Sequence, residues 1–351
     1  MRYKLLGRKT GLRVSELALG TGNFGTGWGY GAERDEAKKI FDAYAAAGGN
    51  FVDTANVYQA GQSEVMLGEF IAAERDNFVL SSKYSLPDSA DAGIARAGNS
   101  RKNMVRSVEE SLKRLNTDRI DLFWAHMDDG MTPIDEILRG FEELVRAGKV
   151  LYTGLSNFPA WKVARADLRA ELTGSASLAA VQFEYSLVER SADRELLPMA
   201  EALGLAATTW SPLGGGLLTG KYRHSDEGRL TGLGTLVHTE RSARETAIVD
   251  ALLEIAAALQ VTPAHVAIAW LRHRAARSAT SLIPILGPRT RAQLEAPLEA
   301  LQLTLGEEHL QRLEAVSRIP LGVPHEQLLE QCEALAGGKF SLLDLPSQPI
   351  A

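Results

Sequence analysis

The chain has 351 residues, a formal net charge of -6 and one cysteine, Cys332. That is length enough for two ordinary domains or one large α/β barrel. The charge implies no basic face for nucleic acid, and a lone cysteine excludes an intrachain disulfide. The opening "MRYKLLGRKTG" lacks the apolar core of a signal peptide, and no apolar run reaches the roughly 18 residues of a membrane span. A cytoplasmic protein with no membrane partner is therefore expected.

The first predicted element is a hairpin, "YKLLG" and "LRVSE" flanking a "RKTG" turn. Eight short apolar or β-branched runs follow: "LALGTG" (17–22), "NFVDTA" (50–55), "FVLSSKY" (78–84), "IDLFWAH" (120–126), "VLYTGLS" (150–156), "AAVQFEY" (179–185), "LAATTWS" (205–211) and "SLIPILG" (281–287). The segments between them have helical periodicity. In "NMVRSVEESLKRL", Val105, Val108, Leu112 and Leu115 are spaced for one apolar face. In "MTPIDEILRGFEELVRAGK", Thr132 is placed to cap, Pro133 to open and Gly148 to stop a helix. Thr262 and Pro263 repeat that device. The strands start about thirty residues apart, one βαβ unit each. The last interval is longer and holds a polar loop at about 220–240 and two helices.

Strict β/α alternation predicts a parallel sheet, and eight units predict a closed (β/α)8 TIM barrel with an N-terminal β-hairpin. Gly20, Gly22 and Gly25 spell G-x-G-x-x-G, the fingerprint of a doubly wound dinucleotide fold. There, however, the third glycine opens the helix that holds the pyrophosphate. Here "TGWGYGAER" intervenes before helical pattern begins near Glu33, so these glycines read as a flexible first βα loop. From Leu321 onward the alternation stops. "HEQLLEQCEAL" reads as an amphipathic helix over the barrel, a C-terminal helical extension.

Barrel enzymes keep their sites at the C-terminal ends of the strands. The second run ends at Asp53, with Tyr58 in the next loop; the third ends at Lys83 and the fourth at His126. A tyrosine titrates near pH 10 in water. A lysine ammonium beside it favours the phenolate, an aspartate holds that lysine charged, and a histidine can hydrogen-bond a reacting oxygen. Together they make a proton donor aimed at a carbonyl oxygen. No side chain delivers hydride to the carbon, so a nicotinamide cofactor is implied.

Singly, each of these residues has a blander reading: a packing tyrosine, an ordinary ion pair, a core histidine. "HMDDG" could suggest a metal site at His126, Asp128 and Asp129, but no other histidine supports it by spacing. The two aspartates read instead as a solvated loop, and no metal is expected. Glu64 reads as part of a helix start, and His265 and His273 as structural. "GGG" at 214–216 could be a mere flexible turn, and Trp210 mere packing.

The stretches "LALGTGNFG", "NFVDTANVYQAGQSEVMLGEF", "VLSSKYS", "NMVRSVEESLKRLNTDRIDLFWAH", "YTGLSNF", "VQFEYSLVER", "WSPLGGGLLTGKY" and "IPILGPRTRAQLEAPLEAL" resemble the aldo-keto reductase family. The likeness covers roughly 1–318, leaving 319–351 as a tail packing on the barrel. It is greater to the long-chain bacterial members and the potassium-channel β subunits than to the short carbohydrate and steroid reductases. The resemblance implies an NADP(H)-dependent barrel oxidoreductase that needs no metal. By it, Tyr58 matches the general acid, Lys83 its activator, Asp53 the partner of that lysine, and His126 the substrate-orienting histidine. Ser156, Asn157 and Gln182 match residues near the nicotinamide carboxamide, and Trp210 an aromatic ring stacked on the nicotinamide. Ser211, Pro212, Leu213, Gly215 and Lys221 match a loop over the pyrophosphate, with Thr21 and Gly22 bordering the cofactor. Gly287, Arg289 and Gln293 match the adenosine end, where a guanidinium would favour the 2′-phosphate of NADP. One position departs: where the family usually has an adenine-contacting Asn, this chain has Pro297, which lacks the donor and is expected to end or kink its helix.

The expected activity is NADPH-dependent reduction of an aldehyde or ketone to an alcohol, with Tyr58 as general acid. One rival is an NADP(H)-binding regulatory or redox-sensing protein with slow turnover. A more remote one is a metal-dependent barrel hydrolase or aldolase. Trp28, Tyr30, Met127 and residues 222–240 are the candidates for lining a substrate pocket. The sequence leaves the substrate and the oligomeric state open.

Overall fold

The computed structural model describes residues 1–89, 91–223 and 238–345. Strands β1 (Tyr3–Leu5) and β2 (Arg13–Ser15) pair antiparallel, Lys4 opposite Val14. Thr10 tightens the turn between them by donating to the Leu6 carbonyl at 2.7 Å. The remaining strands are β3 (Ala18–Gly20), β4 (Phe51–Asp53), β5 (Val79–Tyr84), β6 (Ile120–Ala125), β7 (Val150–Ser156), β8 (Leu178–Glu184), β9 (Ala206–Trp210) and β10 (Leu282–Leu286). These eight form one closed barrel in chain order, with β10 returning to pair with β3. Every pairing in it is parallel. The expected (β/α)8 barrel and its N-terminal hairpin are therefore both present.

Helices alternate with these strands: α1 (Arg34–Ala46), α2 (Gln62–Ile71), α3 (Arg101–Leu115), α4 (Ile134–Arg146), α5 (Ala160–Thr173), α6 (Leu196–Leu203), α7 (Ala243–Leu259), α8 (Pro263–Arg277), α9 (Arg291–Glu299), α10 (Glu307–Ser317) and α11 (His325–Leu335). Alternate strand positions such as Leu19, Val52, Leu80, Phe123, Leu155 and Val181 pack outward with the buried helix residues. The opposite positions, including Ala18, Phe51, Leu122, Trp124, Ala180, Ala206 and Ile283, form a second apolar cluster with Leu6 and Val14 of the hairpin region. That cluster fills the barrel interior, and the hairpin plugs its N-terminal end. Arg8 ties the plug down, its amide donating to the Gly204 carbonyl at 2.8 Å just ahead of β9. The interior is tight: a Cβ at Gly154 would lie 2.3 Å from the Trp124 ring. Asp53, Lys83 and Ser156 stand at or next to the C-terminal ends of their strands.

Some local expectations needed correction. Val105 is 37% exposed, and Met104 takes its place on the buried face of α3. At 100° per residue, 104, 108, 111 and 115 share a face, and 105 does not. Thr132 does not cap α4, because Pro133 is the N-cap. Thr132 instead donates to Asp129, from its hydroxyl at 2.7 Å and its amide at 2.8 Å. Pro297 does not end its helix; α9 runs on to Glu299 and into a 3-10 turn, Ala300–Gln302. Helix α11 forms where "HEQLLEQCEAL" predicted it, with none of its residues buried. Of the loop predicted at about 220–240, residues 224–237 lie outside the described residues. Among the described residues no single helix is long and apolar enough to cross a membrane; α7 and α8 together reach that composition, but they meet at 101°.

Candidate active site

Asp53 closes β4, Lys83 stands one residue from the end of β5, and His126 follows β6 directly. Neighbouring strands therefore deliver three polar groups to one rim. Tyr58 comes from the loop after β4, at the start of a 3-10 turn, Tyr58–Gly61. Lys83 is fully buried. Its ammonium makes a short contact with Asp53 Oδ2 and donates to the Thr54 carbonyl at 2.8 Å and to Tyr58 Oη at 3.2 Å. The other carboxylate oxygen of Asp53 accepts from Ser81 Oγ at 2.6 Å and from Gln182 Nε2 at 3.2 Å. Burial by itself would lower the Lys83 pKa, but the Asp53 charge and the bonds to Asp53 and Tyr58 raise it. The lysine is thus held as a cation inside the protein.

The His126 ring stands edge-on to Tyr58, with centroids 5.9 Å apart and planes at 82°. Burial, and secondarily the Lys83 charge, push its pKa well below 6.5, so the imidazole is neutral at pH 7. Its Nδ1 is buried without a partner among the described residues. Its backbone is fixed: the His126 amide donates to the Tyr84 carbonyl and to Ser85 Oγ, each at 3.0 Å. Ser85 in turn makes a short contact with Asn99, whose side-chain amide donates to the Met127 carbonyl at 2.7 Å. Nothing along the chain signals Ser85 or Asn99, because their role comes from bonds between two loops.

The remaining predicted residues lie near the C-terminal ends of strands or in the segments that follow them. Ser156 ends β7, and Asn157 follows it in a left-handed conformation with φ 54. The Asn157 side chain donates to Ser156 Oγ and to the His126 carbonyl, both at 3.0 Å, and accepts from Trp210 Nε1 at 3.1 Å. Gln182 turns toward Asp53, as described above. Thr21 donates to the Asp53 carbonyl, from its amide at 2.9 Å and its hydroxyl at 3.1 Å. A Cβ built on Gly22 would touch the Tyr58 ring at 3.8 Å. After β9 the chain turns through Ser211, Pro212 and Leu213, and Gly214, Gly215 and Gly216 all have positive φ. Tyr222 Oη donates to the Gly215 carbonyl at 2.8 Å, and Lys221 Nζ lies 4.9 Å from the Tyr222 ring centre.

Beyond β10, the Gly287 carbonyl accepts from Asn23 at 2.8 Å, and Gln293 accepts from the Arg289 amide at 2.9 Å. The Arg289 guanidinium lies 4.7 Å from the centre of the Tyr30 ring, and its Nε is buried without a partner among the described residues. The unpartnered arginine donor beyond β10 fits an anionic, phosphate-bearing ligand at the rim. A nicotinamide dinucleotide has that chemistry.

The aspartates of "HMDDG" are engaged. Asp128 accepts from Lys162 at 2.6 Å, and Asp129 gathers donors from Asn99, Met131 and Thr132. They are partnered loop anchors rather than the solvated carboxylates expected. Glu64 sits in the first turn of α2, buried between Ser82 and Arg114. His265 joins Thr262 to Glu299 and serves the packing of α8 on α9.

The model of the Aldo/keto reductase family matches residues 16–318. Several curated proteins are similar over most of the chain. An uncharacterized oxidoreductase of Bacillus subtilis is 39% identical, covering 92% of this chain and 98% of its own length. The aldo-keto reductase ausK of Emericella nidulans is 35% identical, covering 93% of this chain and 84% of its own. A norsolorinic acid reductase of Aspergillus flavus is 34% identical, with the same coverages. Barrel, rim chemistry and full-length similarity lead to one assignment: this chain is an oxidoreductase and belongs to the aldo/keto reductase family.

Proposed function

We propose that the protein reduces an aldehyde or ketone to an alcohol at the expense of NADPH, with Tyr58 as general acid. The observation that carries this reading is the Lys83 ammonium, bonded to both Asp53 and Tyr58 Oη in a buried setting. When bound, the nicotinamide supplies hydride to the carbonyl carbon. Tyr58 gives its proton to the oxygen as negative charge develops there, and Lys83 stabilises the phenolate left behind. Neutral His126 directs a ring N–H at the same oxygen and so orients the carbonyl without itself titrating. Asp53, held by Ser81 and Gln182, keeps the lysine charged and in place.

Arg289 would meet the 2′-phosphate that distinguishes NADPH from NADH. Trp210, Asn157 and Ser156 form a hydrogen-bonded wall against which the nicotinamide would lie. One relative, from Pestalotiopsis microspora, is named an aryl-alcohol dehydrogenase, which supports an aromatic carbonyl compound as substrate. Residues 1–318 form the working unit, 319–351 an appended tail, and the setting is cytoplasmic. A panel of aromatic and aliphatic carbonyl compounds, assayed by loss of NADPH absorbance, tests the reading. Multiple turnovers with at least one of them are expected. A single turnover that then stops with every compound would overturn it in favour of a cofactor-sensing protein.

A further inference from the structure

Gln59 follows Tyr58 directly, has no exposed surface, and takes a left-handed conformation at φ 51. That backbone is strained for a non-glycine residue. Ala60 is left-handed as well, at φ 54. The Gln59 side chain enters the loop between β3 and α1. There it is saturated. Its amide nitrogen donates to the Gly22 carbonyl at 2.9 Å and to the Tyr30 carbonyl at 3.0 Å, and its oxygen accepts from the Trp28 amide at 3.0 Å. A primary amide has two N–H donors and an acceptor oxygen, so each donor and the acceptor is engaged. The backbone fits as closely: a Cβ on Gly27 would stand 2.5 Å from the Gln59 carbonyl oxygen.

The loop held this way touches both Tyr58 and the Gly287–Arg289 segment. The Trp28 ring stands edge-on to Tyr58, with centroids 6.1 Å apart and planes at 85°. Tyr30 lies under the Arg289 guanidinium, and Asn23 bonds the Gly287 carbonyl. Gln59 is therefore the covalent neighbour of Tyr58 and the hydrogen-bonded centre of the loop that borders it.

We propose that Gln59 is a positioning residue: it locks the 22–30 loop onto Tyr58 so that the phenol stays aimed between Lys83 and His126. It touches neither substrate nor cofactor. Without it, Trp28 and the Tyr58 ring move independently, and the tyrosine spends part of its time out of line with the carbonyl oxygen. This rests on Tyr58 being the proton donor.

The test compares Gln59→Leu, Gln59→Glu, Tyr58→Phe and the parent. Kinetics with an accepted carbonyl compound are run beside hydrogen exchange of the peptide containing Trp28. Gln59→Leu is expected to lower kcat about tenfold, with NADPH affinity within threefold of the parent and exchange at the Trp28 amide at least tenfold faster. Gln59→Glu cannot donate as a carboxylate but regains one donor when protonated. Its kcat relative to the parent should therefore rise as pH falls from 8 to 6. Parent-like kcat in Gln59→Leu alongside an inactive Tyr58→Phe would overturn the positioning role alone. An active Tyr58→Phe would overturn the acid assignment beneath it. If Gln59→Leu fails to fold, Gln59→Glu decides by itself: a pH-independent activity ratio would overturn the proposal.

Discussion

Lys83 and Tyr58 meet at 3.2 Å at the mouth of the barrel, the ammonium donating to the phenol oxygen from a fully buried position. The two residues are 25 apart in the chain, Lys83 on β5 and Tyr58 in the loop after β4. The contact sets a buried cation against the phenol oxygen. General acid catalysis by a positioned group is worth about 100- to 10,000-fold in rate. Tyr58→Phe is therefore expected to lower kcat by at least about 100-fold. The phenyl ring keeps its edge contacts with Trp28 and His126, so NADPH affinity should stay near that of the parent in a fluorescence titration.

Asp53 and Lys83 form a buried ion pair, and breaking such a pair from one side leaves an unpaired charge. Asp53→Asn and Lys83→Met should each destabilise by about 3 kcal/mol or more. The double variant should cost less than the sum of the two, because it leaves neither charge alone. Urea denaturation of the four proteins measures this. Additive costs would mean that the pair does not interact in the folded state.

The proposed role of Arg289, whose Nε is buried without a partner among the described residues, predicts a cofactor effect. Arg289→Leu should weaken NADPH binding by about 10- to 100-fold, the worth of a charge-assisted, bidentate contact to phosphate. NADH binding should change little. Isothermal titration with both nucleotides separates the two, and an equal loss for both would assign Arg289 to packing against Tyr30.

Asp129 links the loop after β6 to Asn99. Burial would raise its pKa, but the amides of Thr132, Asn99 and Met131 and the Thr132 hydroxyl bring it down to about 2. A depressed folded value stabilises above the unfolded pKa, and that stability is lost as pH falls through the folded one. Asp129→Asn should thus cost about 1 kcal/mol above pH 5, discounted for partial exposure. The gap to the parent should close between about pH 4 and pH 2. Denaturation midpoints across that range measure it.

Gly154 faces the Trp124 ring inside the barrel. Gly154→Ala drives a methyl group to within 2.3 Å of that ring, and the surrounding strands leave it no room to move. Overpacking of this kind costs about 1–3 kcal/mol, read as a lowered denaturation midpoint. Activity per folded molecule should fall as well, since Trp124 lies only two residues before His126.

Strand–helix alternation was legible because each strand of a closed parallel barrel is buried on both faces and reads as a short apolar run. Asp53, Lys83 and Ser156, polar at or next to the C-terminal ends of three of those strands, lie at the mouth. The gathering of Asp53, Tyr58, Lys83 and His126 followed from strand order and was readable before any coordinates. Thr132 and Val105 were misread because capping and facing depend on competitors: Asp129 claims Thr132, and Met104 occupies the face assigned to Val105.

By itself, then, the sequence determined the barrel, its hairpin plug and the set of groups at its rim, since burial patterns and strand order are written along the chain. Only the tertiary structure decided how those groups are held. The left-handed turn at Gln59, the Ser85–Asn99 support under His126 and the Arg289–Tyr30 contact all join segments distant in sequence or depend on local backbone direction. Hydrogen bonds of that kind are fixed by three-dimensional proximity, which leaves no period in the sequence to read.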